Sequence, residues 1–155
     1  QAVPNVDNEI RKLMDDMLDT MYDAPGIGLA AIQIGVPKRI IVIDLSKEEE
    51  KTPLYFVNPK IILKSNSNST YEEGCLSVPG QFAEIDRPDQ CHISYLDYNN
   101  KQQELKAKGL LATCIQHEMD HLEGILFIDY LSKLKKSFIV KKLSKQKKSL
   151  ERIVV

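Results

Sequence analysis

The nine residues Gln116-His117-Glu118-Met119-Asp120-His121-Leu122-Glu123-Gly124 restrict this chain more than any other stretch. Two histidines four apart project from one face of a helix, where their imidazoles can fill two corners around one metal ion. Glu118 stands next to the first of them and is free to move protons. The preceding run Leu110-Leu111-Ala112-Thr113-Cys114-Ile115 has no Gly or Pro, and Gly124 offers a left-handed stop. A surface helix with two chance histidines is the plain alternative. It fits poorly, because the chain has three histidines and this motif uses two. HExxH inside an apolar helix points instead to a metal-activated water.

The motif leaves the coordination incomplete. In the longer pattern HExxHxxGxxH a third histidine would fall three residues past Gly124; Phe127 stands there, and no histidine follows. A catalytic site of the zinc type keeps three protein ligands and one open position. The remaining ligand comes from His92, Cys75, Cys91, Cys114 or a carboxylate, and the spacing does not choose among them.

At 155 residues the chain is long enough for one domain with its own core. We read residues 1–155 as that single catalytic domain, with a basic C-terminal helix over 130–155. Apolar residues make up 43% and charged residues 28%, as in an ordinary globular protein. No apolar run approaches the ~18 residues that span a bilayer, and no signal-peptide pattern opens the chain. Three cysteines supply no disulfide framework and read as reduced, which implies the cytoplasm. A start at Gln1 rather than Met reads as a missing N-terminal segment. Net charge is −1 but uneven: residues 133–152 carry nine Lys/Arg against one acid, leaving −9 elsewhere. That basic stretch is either a solvated helix or a contact for a polyanion.

Along the chain, Ile10, Leu13, Met14, Met17, Leu18 and Met21 follow helical spacing and predict a first helix that stops before Pro25. Its methionine stripe reads as core packing. Gly26-Ile27-Gly28-Leu29-Ala30-Ala31 contains GxGxxA, yet a dinucleotide fingerprint needs a strand before it, and here a helix precedes it. The paired glycines still indicate a close approach to this backbone. Gln33 is a lone amide in an apolar run, either satisfied in the core or aimed into a site. Residues 39–45 predict a strand, and 54–63 a second one broken at Asn58-Pro59, hence an edge or a bend. Residues 65–70 read as a turn, and Tyr71 to Gly80 as a stretch presenting Cys75, which could equally be a small buried hydrophobe. Further strands are expected at 83–85 and 91–97, with His92 on the exposed side, and a hairpin turn at 97–101. The last helix is expected from Tyr130, with Leu131, Leu134, Phe138 and Leu143 on one face. Short strands between three helices, without βαβ alternation, argue for an α+β fold with largely antiparallel sheet.

Three stretches, taken in order, resemble the signatures of peptide deformylases. They are Gly26-Ile27-Gly28-Leu29-Ala30-Ala31-Ile32-Gln33, Glu73-Gly74-Cys75-Leu76-Ser77, and the nine residues from Gln116. The resemblance runs over nearly the whole chain and implies antiparallel sheets around a central HExxH helix, with an N-terminal and a C-terminal helix. It implies Cys75 as the third ligand beside His117 and His121. It also implies ferrous iron as the ion, with nickel or zinc able to replace it; the residues alone suggest zinc equally. The implied reaction removes the formyl group from N-terminal formyl-methionine of new polypeptides. Glu118 then serves as general base and acid, and Gln33 with the Leu76 backbone N–H stabilises the oxyanion. Ile27, Leu110 and Cys114 are candidates for the methionine pocket. Gly28 and Gly74 are candidates to pair with the extended peptide. In some bacterial relatives the C-terminal helix docks on the ribosome, and the basic segment here is similar in position and charge. No DNA and no membrane enters this reading. Two other classes remain: a metallopeptidase, which would normally need a downstream third ligand, and a non-catalytic metal module, in which Glu118 would be dispensable.

Overall fold

In a computed structural model of the chain, the backbone is described for residues 1–24, 26–46, 51–75 and 78–154, and side chains for these except 78–80, 127 and 144–154. Asp7 opens the first helix, α1 (Asn8–Asp23), by accepting the Ile10 backbone N–H at 2.9 Å. That side-chain cap satisfies one of the orphan donors of the first turn. Ile10, Met14, Met17, Leu18 and Met21 are buried, so the methionine stripe is core. The helix ends at the expected place, with Ala24 as its C-cap.

Against α1 lies a five-stranded antiparallel sheet. Its strands are β1 (Gly28–Ala30), β2 (Ile40–Ile43), β3 (Leu54–Lys64), β6 (Gln90–Leu96) and β7 (Gln102–Lys108), in the order β1-β2-β3-β6-β7. β2 shows why the sheet is a middle layer. Ile40 and Val42 join the cluster around α1, whereas Ile41 and Ile43 join a second cluster on the other face with Ala112 and Ile115. Alternate side chains of one strand thus serve two cores. That second face carries α2 (Gly109–Leu122), the HExxH helix, bounded by glycines at φ +58° and +75°, Gly109 and Gly124. Gly124 is the left-handed stop that the sequence suggests.

The break in β3 proves to be a bend, not an edge. Its neighbours are β2 and β6. Asn58 takes φ +50° and the register shifts between Val57 and Lys60, so Pro59 falls where its missing N–H interrupts no regular ladder. The Asn58 side chain accepts the Val3 N–H at 2.7 Å and donates to the Val3 carbonyl at 2.6 Å, tying down the N-terminal segment.

Residues 65–80 depart furthest from the sequence reading. Most of this stretch is a hairpin of β4 (Asn68–Cys75) and β5 (Val78–Pro88), paired from Asn68↔Pro88 to Gly74↔Phe82. Its outward face is polar, which gave it the look of a loop. The C-terminal helix, α3 (Lys133–Val154), follows a short 3-10 turn at Phe127–Tyr130 and so begins after Tyr130. Its expected apolar face is also different. Leu134 and Phe138 are 78% and 61% exposed, while Leu131, Ile139 and Leu143 pack against Ile85 and Ile128.

Candidate active site

Strand β4 and helix α2 run side by side with closely matched steps. Two strand residues advance about 6.8 Å and four helix residues about 6.0 Å. Tyr71, Glu73 and Cys75 alternate onto the inward face of β4. Gly109, Thr113, His117 and His121 share one face of α2. The two rows meet as a ladder. Cys75 Sγ lies 3.2 Å from His121 Nε2, and one step back Glu73 Oε1 lies 2.8 Å from His117 Nδ1. One strand step further back, the longer Tyr71 side chain reaches past the next helix step, its hydroxyl lying 3.7 Å from where a Cβ on Gly109 would stand.

The first rung gathers a donor trio. One ligand atom each of Cys75, His117 and His121 falls within 4.8 Å of the others, and the histidines are buried. Metal–donor bonds of about 2.0–2.3 Å can bridge such a spacing from a common centre, and a thiolate with two imidazoles suits zinc or iron. The trio therefore fits a metal ion. His92, by contrast, sits on β6 facing Glu104 at 3.6 Å. Cys91 is buried in the sheet core. Cys114 lines the cleft, and burial pushes its thiol up to about 12, so it stays protonated.

Three further charged groups stand behind the trio. Glu73 reaches Arg87 through two bonds, of 2.8 and 3.0 Å, and Arg87 reaches Asp120 at 2.7 Å. Tyr130 donates to the same Asp120 oxygen at 2.6 Å, and Arg87 stacks over its ring. Arg87 and Glu73 are 4% and 6% exposed. Burial alone would raise the Glu73 pKa, but hydrogen bonds from His117 and Arg87 outweigh it and hold the carboxyl below its usual range. Burial likewise opposes a charge on His117, yet bonds to Cys75 and Glu73 carry its pKa up to about 10. The negative field that holds this proton also favours a cation in its place. Sequence reasoning missed Glu73, Arg87, Asp120 and Tyr130 as parts of the site. The one available signal was that Glu73 and Asp120 lie inside the motifs themselves.

Glu118 turns towards the cleft rather than joining the trio. Its Oε1 is 4.0 Å from His117 Nε2, and its buried Oε2 has no hydrogen-bond partner among the described residues. Burial raises its pKa to about 7, with both imidazoles opposing. A Cβ on Gly28 would come within 3.1 Å of Oε1, so glycine there makes room for this carboxylate. Gln33 accepts the Ala30 N–H on its side-chain oxygen at 2.8 Å, which turns its amide nitrogen to Cys75 Sγ at 3.4 Å.

The cleft above these groups has a volume of about 510 Å³. Ile27, Gly28, Gln33, Gly74, Cys75, Leu110, Cys114, His117 and Glu118, all singled out in the sequence, line it. His121 stands just behind, and Leu76 lies outside the described residues. Phe82 and Tyr71 line the cleft as well, and sequence reasoning passed over both.

An HExxH helix whose histidines meet a cysteine below an open cleft belongs to a metal-dependent hydrolase. The sequence profile of the polypeptide deformylase family matches residues 1–137, and the chain belongs to that family. It is 73% identical to the peptide deformylase of Pelagibacter ubique, an alignment covering 100% of this chain and 90% of that one. The peptide deformylase of Rhizobium meliloti is 57% identical over 95% of this chain and 85% of its own. Among solved structures, the peptide deformylase of Ehrlichia chaffeensis superposes with a TM-score of 0.91 at 45% identity, covering 96% of this chain and 89% of that chain. The same enzyme in complex with actinonin gives 0.89 at 47% identity, covering 94% and 88%.

Proposed function

We propose that this chain hydrolyses the formyl group from the N-terminal formyl-methionine of newly made polypeptides, releasing formate, with Glu118 as the proton carrier. Family membership supports the reaction. The observation that carries the chemistry is the Glu118 carboxyl, buried beside the donor trio with one oxygen unpartnered among the described residues and a pKa raised to about 7. A carboxyl poised near neutrality can both accept and return a proton at working pH.

Cys75, His117 and His121 would hold the metal. Ferrous iron is the ion that the family resemblance implies, with nickel or zinc able to replace it. When bound, the ion supplies Lewis acidity that brings the pKa of water towards neutrality. The rest falls to the chain's own groups. Glu118 takes the proton of the attacking water. As the C–N bond breaks, it gives that proton to the leaving amine. The Gln33 amide donates to the oxygen that gains charge, and the Leu76 backbone N–H is the second donor in this scheme; losing one such donor costs about 3 kcal/mol of barrier. Glu73 fixes the His117 ring through Nδ1, leaving Nε2 for the ion. Gly28 and Gly74 offer backbone to the extended peptide, and Ile27, Leu110 and Cys114 wall the methionine pocket.

Residues 1–155 would act as one catalytic unit. The substrate forms on the ribosome, and no disulfide joins the three cysteines, which supports a cytoplasmic setting. Among the described residues no helix is long and apolar enough to cross a membrane. The exposed Leu134 and Phe138 lie among the lysines of α3, a combination that favours docking on the phosphate-rich ribosome over a merely solvated helix.

The test is Glu118→Ala with metal analysis of anaerobically purified protein. One metal per chain should remain while turnover of a formyl-methionyl peptide falls about 10²–10⁴-fold. Turnover near the wild-type rate would exclude Glu118 as the base. Cleavage of an internal peptide bond by the wild type would point to a peptidase.

A further inference from the structure

Asp120 stands one residue before His121, so it leaves the metal face of α2 by about 100° and meets β5 instead. There its Oδ2 accepts from Arg87 at 2.7 Å and from the Tyr130 hydroxyl at 2.6 Å. Through Nε and Nη2 Arg87 holds Glu73 at 2.8 and 3.0 Å, and Glu73 Oε1 lies 2.8 Å from His117 Nδ1. A continuous run of side-chain hydrogen bonds thus leads from Tyr130, which is 50% exposed, to a ligand of the donor trio.

The packing of α3 on β5 sets the seat of Tyr130. Ile85 and Arg87 are two apart on β5 and face the same way. Ile128 packs on Ile85 together with Leu131, Ile139 and Leu143. Two residues on, the Tyr130 ring lies over Arg87, with the guanidinium carbon 4.8 Å from the ring centroid. A ring stacked there keeps water from the buried Arg87–Glu73 pair, which strengthens it. Asp120 is the less secure member. Its side chain is 17% exposed, and it also borders a surface groove lined by Arg39, Lys60 and Lys64, whose charges compete for it. Losing the Tyr130 hydroxyl would leave Arg87 alone, among the described residues, to hold Asp120 inward.

We propose, building on the metal-binding reading of Cys75, His117 and His121, that Tyr130 is a positioning residue for the metal centre, its hydroxyl and ring holding Asp120 and Arg87 so that Glu73 keeps His117 Nε2 aimed at the ion. Loss of the direct partner of a ligating histidine typically lowers metal affinity about 10–100-fold. Tyr130 acts through Asp120 and Arg87 before it reaches Glu73, so its hydroxyl accounts for roughly two- to five-fold.

The experiment compares the zinc-loaded wild type with Tyr130→Phe and Tyr130→Leu. Zinc affinity is read by competition with a chelator, the His117 Nδ1–H by proton–nitrogen NMR, and turnover on a formyl-methionyl peptide. Tyr130→Phe keeps the ring and should lose roughly two- to five-fold in zinc affinity. Tyr130→Leu also uncovers Arg87 and should lose roughly ten-fold, with faster exchange of the Nδ1–H with water. In an Asp120→Asn background Tyr130→Phe should add little, since both act along one path. A merely structural role would lower the melting temperature of the metal-free protein and leave the zinc affinity and Nδ1–H of the folded protein unmoved, and that result would overturn the proposal. An undiminished Tyr130→Phe effect in the Asp120→Asn background would overturn it too, by placing the effect outside this path. A wild type that binds no zinc would remove the metal-binding reading and the proposal with it. A wild type that binds zinc but leaves the formyl peptide intact would instead sink the deformylase reading, and the zinc affinities would still decide the role of Tyr130.

Discussion

Replacing Arg87 by methionine should unfold the protein sooner and loosen its metal together. Arg87 is 4% exposed and holds two carboxylates, Glu73 at 2.8 and 3.0 Å and Asp120 at 2.7 Å. Methionine fills much of the volume but leaves both acids without their cation. Breaking a buried pair in this way costs about 3–5 kcal/mol. For a chain of this size each kcal/mol moves Tm by about 2–4 °C, so the metal-free variant should melt about 6–20 °C below the metal-free wild type at pH 7. Glu73 also orients His117, and loss of such a support weakens metal binding about 10–100-fold, readable by competition with a chelator. The pH dependence follows from the sign of the Glu73 shift. Its native pKa lies below the ordinary value of about 4.3. Its contribution is therefore complete above that value and is lost as pH falls through the native pKa. Without Arg87 that depression shrinks, so the gap between wild type and variant should narrow on acidification below pH 4. Equal melting at pH 7, or a gap that is constant down to pH 3, would refute the reasoning.

Gly28→Ala should lower kcat about ten- to a hundred-fold while Tm stays within a few degrees. The new Cβ would sit 3.1–3.3 Å from three atoms of the Glu118 side chain and displace the carboxyl; steady-state kinetics beside a thermal melt checks this, and an unaltered kcat would contradict it. Asn58→Ala removes both hydrogen bonds to Val3 and puts alanine at φ +50°, a combined loss of about 2–3 kcal/mol. Asn58→Gly, which tolerates that backbone, should lose less, and the order of the two melting temperatures tests the assignment.

The parts of the fold that could be read from the sequence were those with a period. The 3.6-residue stripe from Ile10 to Met21 and the i, i+4 pair His117 and His121 specify which face is inside, and they lie there. Cys75 carried no such mark, since one cysteine among three gives no spacing, and it entered only through resemblance. Arg87 was invisible for another reason. A charged residue in a polar strand looks solvated, and only the meeting of β5 with β4 and α2 buries it. The hairpin itself was hidden because one face of a two-stranded ribbon stays in water. On α3 two sets of apolar residues satisfy helical spacing. The choice between them depends on Ile85 and Ile128 from distant segments, so Ile139 is inside and Phe138 outside.

The match between strand and helix also limits how large this site can be. Each rung loses about 0.8 Å of alignment, because two strand residues travel about 6.8 Å and four helix residues about 6.0 Å. The helix also rotates its row by about 40° per rung, since four residues make slightly more than one turn. Over the two rungs Cys75–His121 and Glu73–His117 the error stays within hydrogen-bond reach, while Tyr71 already extends past the next step to Gly109. A fourth rung would be out of step by more than 2 Å and turned well off the shared face, beyond hydrogen-bond tolerance. Cys75 and Glu73 are therefore the two positions of β4 that the matched steps serve directly. A slip of β4 by one residue would turn Cys75, Glu73 and Tyr71 away at once, so the two segments can be transplanted or altered in length only as a pair.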